Sequence, residues 1–171
     1  MKDEPKVVAF VAAQSGTGKT TLIEDLVPLL KEKGYRVGAI KHSRHGAKMD
    51  KEGSDSWRFK SAGADVTVLA AKGQLAVLRA IADPSLDDAL LEASSGTDIV
   101  LVEGFKEMSV PKIEIFRSRH SEELHCRRDG NTDPYLIAVA SDVPLDVDVP
   151  VLNLNDPKEV CAFIVEQIIE K

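Results

Sequence analysis

Short apolar runs alternate along this chain with stretches whose apolar residues recur at helical spacing. The first run is Val7–Ala12, and a helix from about Thr20 to Lys33 follows it, with Gly34 at its end. Pro28 is expected to bend this helix rather than end it, because the apolar spacing continues beyond it. Such an alternation predicts a three-layer α/β fold, a mainly parallel sheet with helices on both faces.

The later strands follow from the same patterns. They are predicted at Tyr35–Lys41, Val66–Ala71, Leu75–Arg79, Asp98–Gly104, Lys112–Arg117, Tyr135–Ala140 and Val149–Leu152. The continuous apolar run 98–104 is typical of the centre of a parallel sheet. Lys112–Arg117 alternates polar and apolar residues, which predicts a half-exposed antiparallel strand. Lys72-Gly73 predicts a hairpin between the third and fourth strands, an arm added to the parallel sheet.

Three more helices and two loops complete the prediction. Ser54 or Asp55 caps a short helix through Ala62, and another helix spans about Ser85–Glu92. The closing helix has Asp156 at its N-cap, Pro157 at its first position and Glu159 at its third, with Val160, Phe163, Ile164 and Ile168 as its buried stripe. The polar segments 43–53 and 118–134 predict flexible loops.

The composition indicates one globular domain over residues 1–171, with 43% hydrophobic and 29% charged residues. A net charge of −6 argues against a broad surface for nucleic acid. The two cysteines, Cys126 and Cys161, are not closely spaced, so idle thiols in a reducing compartment are expected. The chain has no apolar stretch of membrane-spanning length and no signal-peptide pattern at its start, so a cytoplasmic location is expected.

The segment Ala13–Thr21, A-Q-S-G-T-G-K-T-T, carries the strongest chemical signal. Apart from Ala13 at the first glycine position, it matches the Walker A pattern between a strand and a helix. Backbone N–H groups of residues 15–21 can converge on phosphate oxygens at the positive end of the helix dipole. Lys19 would reach the β- and γ-phosphates and the Thr20 hydroxyl would bind Mg²⁺. Ala13 is tolerable only if its φ stays negative.

Glu103 ends the apolar strand and is the expected acidic partner of this loop. A carboxylate here lies beside the Mg²⁺ and can polarise the attacking water, so Lys19 and Glu103 are the candidate catalytic residues. Gly104 lets the chain turn close to the phosphate. An ordinary carboxylate at a strand end is the alternative.

Two further groups are expected at the carboxyl edge of the sheet, where open α/β sheets bind ligands. The loop with Lys41, His42, His45, Asp50 and Asp55 would place a cation or imidazole near the phosphates and a carboxylate, Asp55, near Mg²⁺; a solvated loop is the alternative.

Asp142 follows another strand, where a carboxylate can accept hydrogen bonds from guanine that adenine cannot donate. A plain Asx turn after the strand is the alternative. A basic cluster of Arg117, Arg119, His120, His125, Arg127 and Arg128 is a solvated loop or a site for an acidic or phosphorylated ligand.

With these residues in place, the chain resembles the MobB family of molybdopterin-guanine dinucleotide biosynthesis adapter proteins. The resemblance runs through Ala12–Leu22, Gly38–His42, Asp50–Ser56, Ser61–Asp65, Leu101–Lys106 and Ile137–Leu145. Ala13, and Ser141-Asp142 in place of the guanine motif common in GTPases, are features that MobB-like proteins share.

The resemblance implies a P-loop NTPase fold, a homodimer, binding of GTP with Mg²⁺ and weak GTPase activity. The partner would be a MobA-like guanylyltransferase, which joins GMP to molybdopterin and makes its guanine dinucleotide. Carried over to this sequence, the cofactor-binding residues are Ser15, Gly16, Thr17, Gly18, Lys19, Thr20, Thr21, His42 and Asp142, and the metal ligands are Thr20, Glu103 and Asp55. Lys112–Arg117 would pair strands between subunits.

A catalyst, a small-molecule kinase or transferase that uses a nucleoside triphosphate, is the competing class. It would need an acceptor pocket and an arginine-bearing lid over the phosphates, for which 117–128 is the candidate.

Overall fold

The computed structural model describes residues 4–43, 46, 49–120, 123–130 and 132–171. The strands are β1 (Lys6–Val11), β2 (Val37–Lys41), β3 (Val66–Ala71), β4 (Gln74–Arg79), β5 (Ile99–Glu103), β6 (Lys112–Phe116), β7 (Leu136–Ser141) and β8 (Val151–Asn153). The helices are α1 (Lys19–Glu32), α2 (Asp55–Ser61), α3 (Leu86–Ala93) and α4 (Pro157–Ile164). Apart from the end of α4, which was predicted to reach Ile168, the predicted boundaries of these strands and helices lie within two residues of the observed ones.

The chain forms two compact units. The first runs up to His42 and from Leu86 onward, and the second spans Ser43–Ser85. One domain over residues 1–171 stays a prediction, because compactness alone does not show that either unit folds without the other.

The first unit is built on a six-stranded sheet with the order β2-β5-β1-β6-β7-β8. Every pairing within it is parallel, so the carboxyl ends of its strands meet at one edge. Alternate residues of β1 point to opposite faces, as the period of two requires. Val8 and Phe10 pack with Leu26 and other residues of α1 and α4, whereas Ala9 and Val11 pack in a second cluster that includes Leu86 of α3. The predicted layers are thereby confirmed.

The ends of the two helices flanking this sheet follow their sequence signals. Pro28 lies inside α1, which continues to Glu32, and Gly34 follows with a φ of +92° that favours glycine. The side chain of Asp156 accepts a hydrogen bond from the N–H of Lys158, which confirms the predicted cap of α4. A π-helical turn at Val165–Ile169 extends α4, and the spacing gave no sign of it.

The prediction of a half-exposed antiparallel strand at Lys112–Arg117 was wrong. This strand, β6, lies between β1 and β7, is parallel to both and is buried along its whole length. Its two alternating polar residues are buried because each has a partner: Lys112 donates to Asp133 at 2.6 Å, and Glu114 accepts from two backbone N–H groups. The expected pairing of strands between subunits through this segment is therefore wrong as well.

The described part of segment 118–134 also has structure that was not predicted. The N–H groups that bind Glu114 belong to His125 and Cys126, at the start of a 3-10 helix, His125–Gly130. Leu124 and Cys126 are buried in the second core cluster. Both cysteines are free and buried, as predicted, and burial raises the pKa of the Cys126 thiol.

The second unit contains α2 and an antiparallel hairpin of β3 and β4. The side chain of Ser54 accepts from the N–H of Trp57 and so caps α2. The hairpin confirms the predicted arm. None of the described helices is long and apolar enough to cross a membrane.

Candidate functional site

The segment Ala13–Thr21, called the phosphate loop below, leads from β1 into α1 and has the backbone that the Walker A pattern requires. Gly16 and Gly18 have φ values of +76° and +100°, which a side chain would disfavour. Among the described residues, Phe105 is the one non-glycine residue with a positive φ, so Ala13 does not adopt that conformation. The condition under which alanine can replace the first glycine is therefore met.

The first turn of α1 is free to bind an anion. Gly18, its N-cap, offers no side-chain hydrogen bond, and no acidic residue lies in the first turn. The first N–H groups of a helix have no partner within it, and the helix dipole adds positive charge there. Ser15, Gly16, Thr20 and Thr21 are exposed around this turn, and Thr17 is buried. The loop thus presents its backbone donors to solvent, which suits a phosphate.

Lys19 is held over the loop. Its ammonium donates to the carbonyl of Gln14 at 3.0 Å and to the hydroxyl of Thr17 at 3.4 Å. Partial burial lowers its pKa, and the nearby ammonium groups of Lys106 and Lys41 lower it further against the opposing charge of Glu103. An ammonium under these conditions gains from a second negative charge, which a phosphate would supply.

Thr20 and Glu103 meet as predicted. The Thr20 hydroxyl donates to Oε2 of Glu103 at 2.7 Å, although the two residues are 83 positions apart. Burial raises the pKa of the Glu103 carboxyl, but hydrogen bonds from Lys41 and Thr20 and the charges of Lys41 and Lys19 outweigh it, so the pKa is lowered. Glu103 is therefore ionised at neutral pH.

These two side chains suit Mg²⁺, which takes oxygen ligands in octahedral geometry and is usually bound through one or two carboxylates plus phosphates and waters. Because Thr20 donates its hydroxyl hydrogen bond to Glu103, its oxygen keeps lone pairs for a metal. No group of three or more His, Cys, Asp or Glu residues in the described parts of the chain could hold a metal alone. A magnesium ion at Thr20 and Glu103 would thus depend on phosphate and water for its remaining ligands.

Two more cations contact the loop: Lys106, which was not predicted, and Arg117, which was predicted only as part of the basic cluster and the candidate lid. The ammonium of Lys106 donates to the carbonyl of Ala13 at 3.3 Å, and Nε of Arg117 donates to the carbonyl of Thr17 at 3.2 Å. Lys106 follows β5 and Arg117 follows β6, so both leave carboxyl ends of parallel strands. A cation just after the carboxyl end of a predicted strand was the sequence signal that could have identified them. The side chain of Arg128, in the same predicted basic cluster, lies outside the described residues.

His42 lies beside Glu103 through its backbone. Its N–H donates to the carbonyl of Glu103 at 2.9 Å, and its ring stacks on Phe105 with centroids 4.3 Å apart. Gly104 has a φ of +103°, and a Cβ there would lie 2.9 Å from Cβ of His42. Phe105 is itself left-handed, with a φ of 51°. His42 thus packs against the turn that follows Glu103, and its binding of a cofactor stays a prediction.

Asp142 follows β7 at the same edge of the sheet and already has a partner. Its Oδ1 accepts from the N–H of Ser118 at 2.8 Å, and its Oδ2 from the Ser118 hydroxyl at 3.4 Å. Together with Ser141, Asn153 and other residues it lines a cavity of about 330 Å³. Each carboxylate oxygen can accept a further hydrogen bond, so Asp142 can hold Ser118 and still bind a base.

The remaining predicted residues belong to the second unit. Asp55 lies in the first turn of α2, pairs with Arg58 at 3.4 Å and has a side chain that is 85% exposed. Oδ1 of Asp50 accepts from the hydroxyl of Ser54 at 2.9 Å. A hydrogen bond from Ser56 lowers the pKa of Asp50. His45 lies outside the described residues. Metal binding by Asp55 stays a prediction.

Comparison with known proteins identifies the family of this chain. A family model described as molybdopterin guanine dinucleotide synthesis protein B matches residues 7–142. The chain is 42% identical over 164 residues to the molybdopterin-guanine dinucleotide biosynthesis adapter protein of Escherichia coli, covering 94% of this chain and 91% of that one. It is 32% identical over 169 residues to the probable adapter protein of Bacillus subtilis, covering 96% and 94%.

Solved structures of MobB proteins have the same fold as this chain. A crystal structure of Bacillus subtilis MobB superposes with a TM-score of 0.73 at 27% identity, covering 97% of this chain and 99% of that one. A crystal structure of molybdopterin-guanine biosynthesis protein B gives a TM-score of 0.72 at 25% identity, covering 94% and 98%. The family model, over residues 7–142, includes the phosphate loop, Glu103 and Asp142. The chain therefore belongs to the MobB family, that of molybdopterin guanine dinucleotide synthesis protein B.

Proposed function

We propose that this protein is a GTP-binding adapter of molybdenum cofactor biosynthesis. It binds GTP with Mg²⁺ and assists a MobA-like guanylyltransferase that joins GMP to molybdopterin and makes molybdopterin guanine dinucleotide. The observation that carries this proposal is the phosphate loop with Lys19 over it and the hydrogen-bonded pair of Thr20 and Glu103 beside it. The names of the relatives supply the pathway.

Binding of the triphosphate rests on four cations around one loop. Lys19, Lys41, Lys106 and Arg117 all donate hydrogen bonds to residues of the loop or to Glu103. In a chain with a net charge of −6, such a local excess of positive charge favours an anionic ligand at this place. Mg²⁺ would be held by Thr20 and Glu103, and when bound it would neutralise charge on the phosphates.

An adapter with slow hydrolysis fits the state of Glu103 better than a fast catalyst does. A carboxylate that holds Mg²⁺ together with Thr20 has its oxygens committed to the metal and to the Thr20 hydroxyl. It is then poorly placed to take a proton from the attacking water as a general base. We expect turnover of GTP below about one per minute, in the range of unassisted GTPases.

We further propose a homodimer, with the hairpin of the second unit in the interface. Directly paired residues share one face of a hairpin, and on one face of this one Val66, Val68, Leu75 and Val77 are exposed. An isolated hairpin is marginally stable in water, so an apolar face of this kind gains from a second copy.

Reconstitution with the partner enzyme tests the pathway role. Purified guanylyltransferase, molybdopterin, GTP and Mg²⁺ are incubated with wild type or Lys19→Ala, and the guanine dinucleotide formed is measured. Wild type should raise the yield and Lys19→Ala should not, while Lys31→Ala, on the exposed side of α1, should act like wild type. Equal stimulation by Lys19→Ala would contradict the proposal. A phosphorylated small product made without the partner would favour the kinase instead.

A further inference from the structure

The ammonium of Lys41 occupies a cation site. It donates to Oε1 and Oε2 of Glu103 at 2.8 and 2.9 Å and to the hydroxyl oxygen of Thr20 at 3.2 Å. All three acceptors are oxygens of the two side chains that would hold Mg²⁺. The carboxylate is 13% exposed and would be costly to leave unpaired, so the lysine supplies the positive charge it needs.

A lysine and a metal ion cannot share these oxygens. Mg²⁺ binds oxygen at 2.0–2.1 Å and would bind oxygens of Thr20 and Glu103 to which Lys41 now donates. An ammonium left in place would lie within a few ångströms of the dication, where the two positive charges repel each other strongly. The metal must therefore displace the lysine.

Lys41 can leave at low cost. It is the last residue of β2, and its side chain is 59% exposed on a flexible four-carbon stem. Exchange for Mg²⁺ also keeps the largely buried Glu103 carboxylate paired with a cation, so its charge is never left unpaired. Its backbone stays fixed beside Glu103 at the carboxyl end of β2, so a displaced ammonium remains at the edge of the sheet where the phosphates are expected.

We infer that Lys41 is an internal counterion that fills the magnesium position in the nucleotide-free protein and gives it up when Mg²⁺ arrives with the triphosphate. This inference rests on the proposed function, since it concerns the same site. Its consequence is that the metal alone binds poorly. A nucleotide makes the exchange favourable because its phosphates provide further ligands for the metal and an anion for the released ammonium.

Binding of Mn²⁺, a paramagnetic substitute for Mg²⁺, to the nucleotide-free protein tests the exchange. The free ion is followed by electron paramagnetic resonance during titration of wild type, Lys41→Met, Lys41→Arg and Lys106→Met. Lys41→Met should bind Mn²⁺ at least about tenfold more tightly than wild type, because the competing charge is gone. Lys41→Arg keeps the charge and should resemble wild type. So should Lys106→Met, which removes a neighbouring charge that donates to Ala13.

Two results would overturn the inference: no gain in Lys41→Met, or an equal gain in Lys106→Met, which would mean that local charge alone sets the affinity. Circular dichroism checks folding, and Lys41→Gln replaces Lys41→Met if the latter unfolds. Calorimetric titration of Mn²⁺·GTP into the same proteins separates the two claims, because GTP alone removes free Mn²⁺ from solution. If wild type fails to bind Mn²⁺ with GTP, the proposed function is wrong. If it binds and Lys41→Met shows no gain without GTP, the counterion role alone is wrong.

Discussion

Gly104 is the residue at this site that is least able to change. Its φ of +103° is left-handed, and a Cβ would lie 2.9 Å from Cβ of His42. Gly104→Ala should therefore lower the free energy of unfolding by more than about 1 kcal/mol and weaken GTP binding, because the turn holds Glu103.

Gly34 provides a matched control for this prediction. Its φ is +92°, but nothing lies within 4 Å of a Cβ placed there. Gly34→Ala should thus carry the backbone strain without the clash. The steric role of His42 would be refuted if urea denaturation showed that both variants lose the same free energy of unfolding.

Asp142 accepts hydrogen bonds from Ser118 and is proposed to bind guanine. Two titrations distinguish these roles. If it binds guanine, Asp142→Ala should weaken GTP binding by roughly 1–3 kcal/mol, about five- to 150-fold. Binding of tripolyphosphate, which has no base, should then change little. An equal loss for both ligands would show that Asp142 acts through Ser118 instead.

Single residues were predictable where the signal was local. The phosphate loop and Glu103 follow from short motifs at the ends of apolar runs, and both were found. Lys106 was not predicted to contact the loop, and Arg117 was predicted only within a candidate lid, because both contacts depend on the order of strands in the sheet. Sequence spacing carries no information about such order.

At the scale of elements, β6 shows how burial can defeat a periodic pattern. Alternating polar residues predict that one face of the strand is exposed to solvent, yet Lys112 and Glu114 are only 2% and 1% exposed. They are tolerated because segment 118–134 supplies an ion pair for one and N–H donors for the other. The hairpin of β3 and β4 was predictable because its turn signal is local.

The ion pair of Lys112 and Asp133 predicts a pH-dependent stability. Burial raises the pKa of Asp133, but the hydrogen bond and charge of Lys112 and the N–H of Tyr135 lower it more. Its folded pKa therefore lies below the ordinary 3.8. The ionised Asp133 therefore stabilises the fold at pH values above 3.8, the ordinary pKa. This stabilisation is lost as the pH falls through the lower pKa of the folded state.

Asp133→Asn should remove this contribution and leave a buried ammonium unpaired, at roughly 3–5 kcal/mol. Urea denaturation at several pH values checks both statements. The variant should be less stable at neutral pH and should lose less than wild type on acidification below about pH 4. Asp148→Asn, which breaks the more exposed pair with Arg127, should cost less. A wild-type profile that matches Asp133→Asn would contradict the assignment.

At the scale of the whole molecule, the exposed face of the hairpin predicts self-association. Leu75 is 70% exposed there, and Leu75→Asp should shift a dimer toward monomer in analytical ultracentrifugation, because a charge would have to be buried in the interface. Leu91, 74% exposed on α3, provides the control, and Leu91→Asp should leave the assembly unchanged. The proposed interface is wrong if Leu75→Asp remains as dimeric as wild type, or if wild type is a monomer.

The proposed function depends on the loop before α1 binding the phosphates of GTP. Isothermal titration calorimetry of Mg²⁺·GTP with wild type and Lys19→Ala measures this binding. We expect saturable binding of one GTP per chain to wild type and an affinity more than about tenfold lower in Lys19→Ala, which lacks the ammonium that reaches the phosphates. Absence of saturable binding to wild type, or equal affinity in Lys19→Ala, would contradict it.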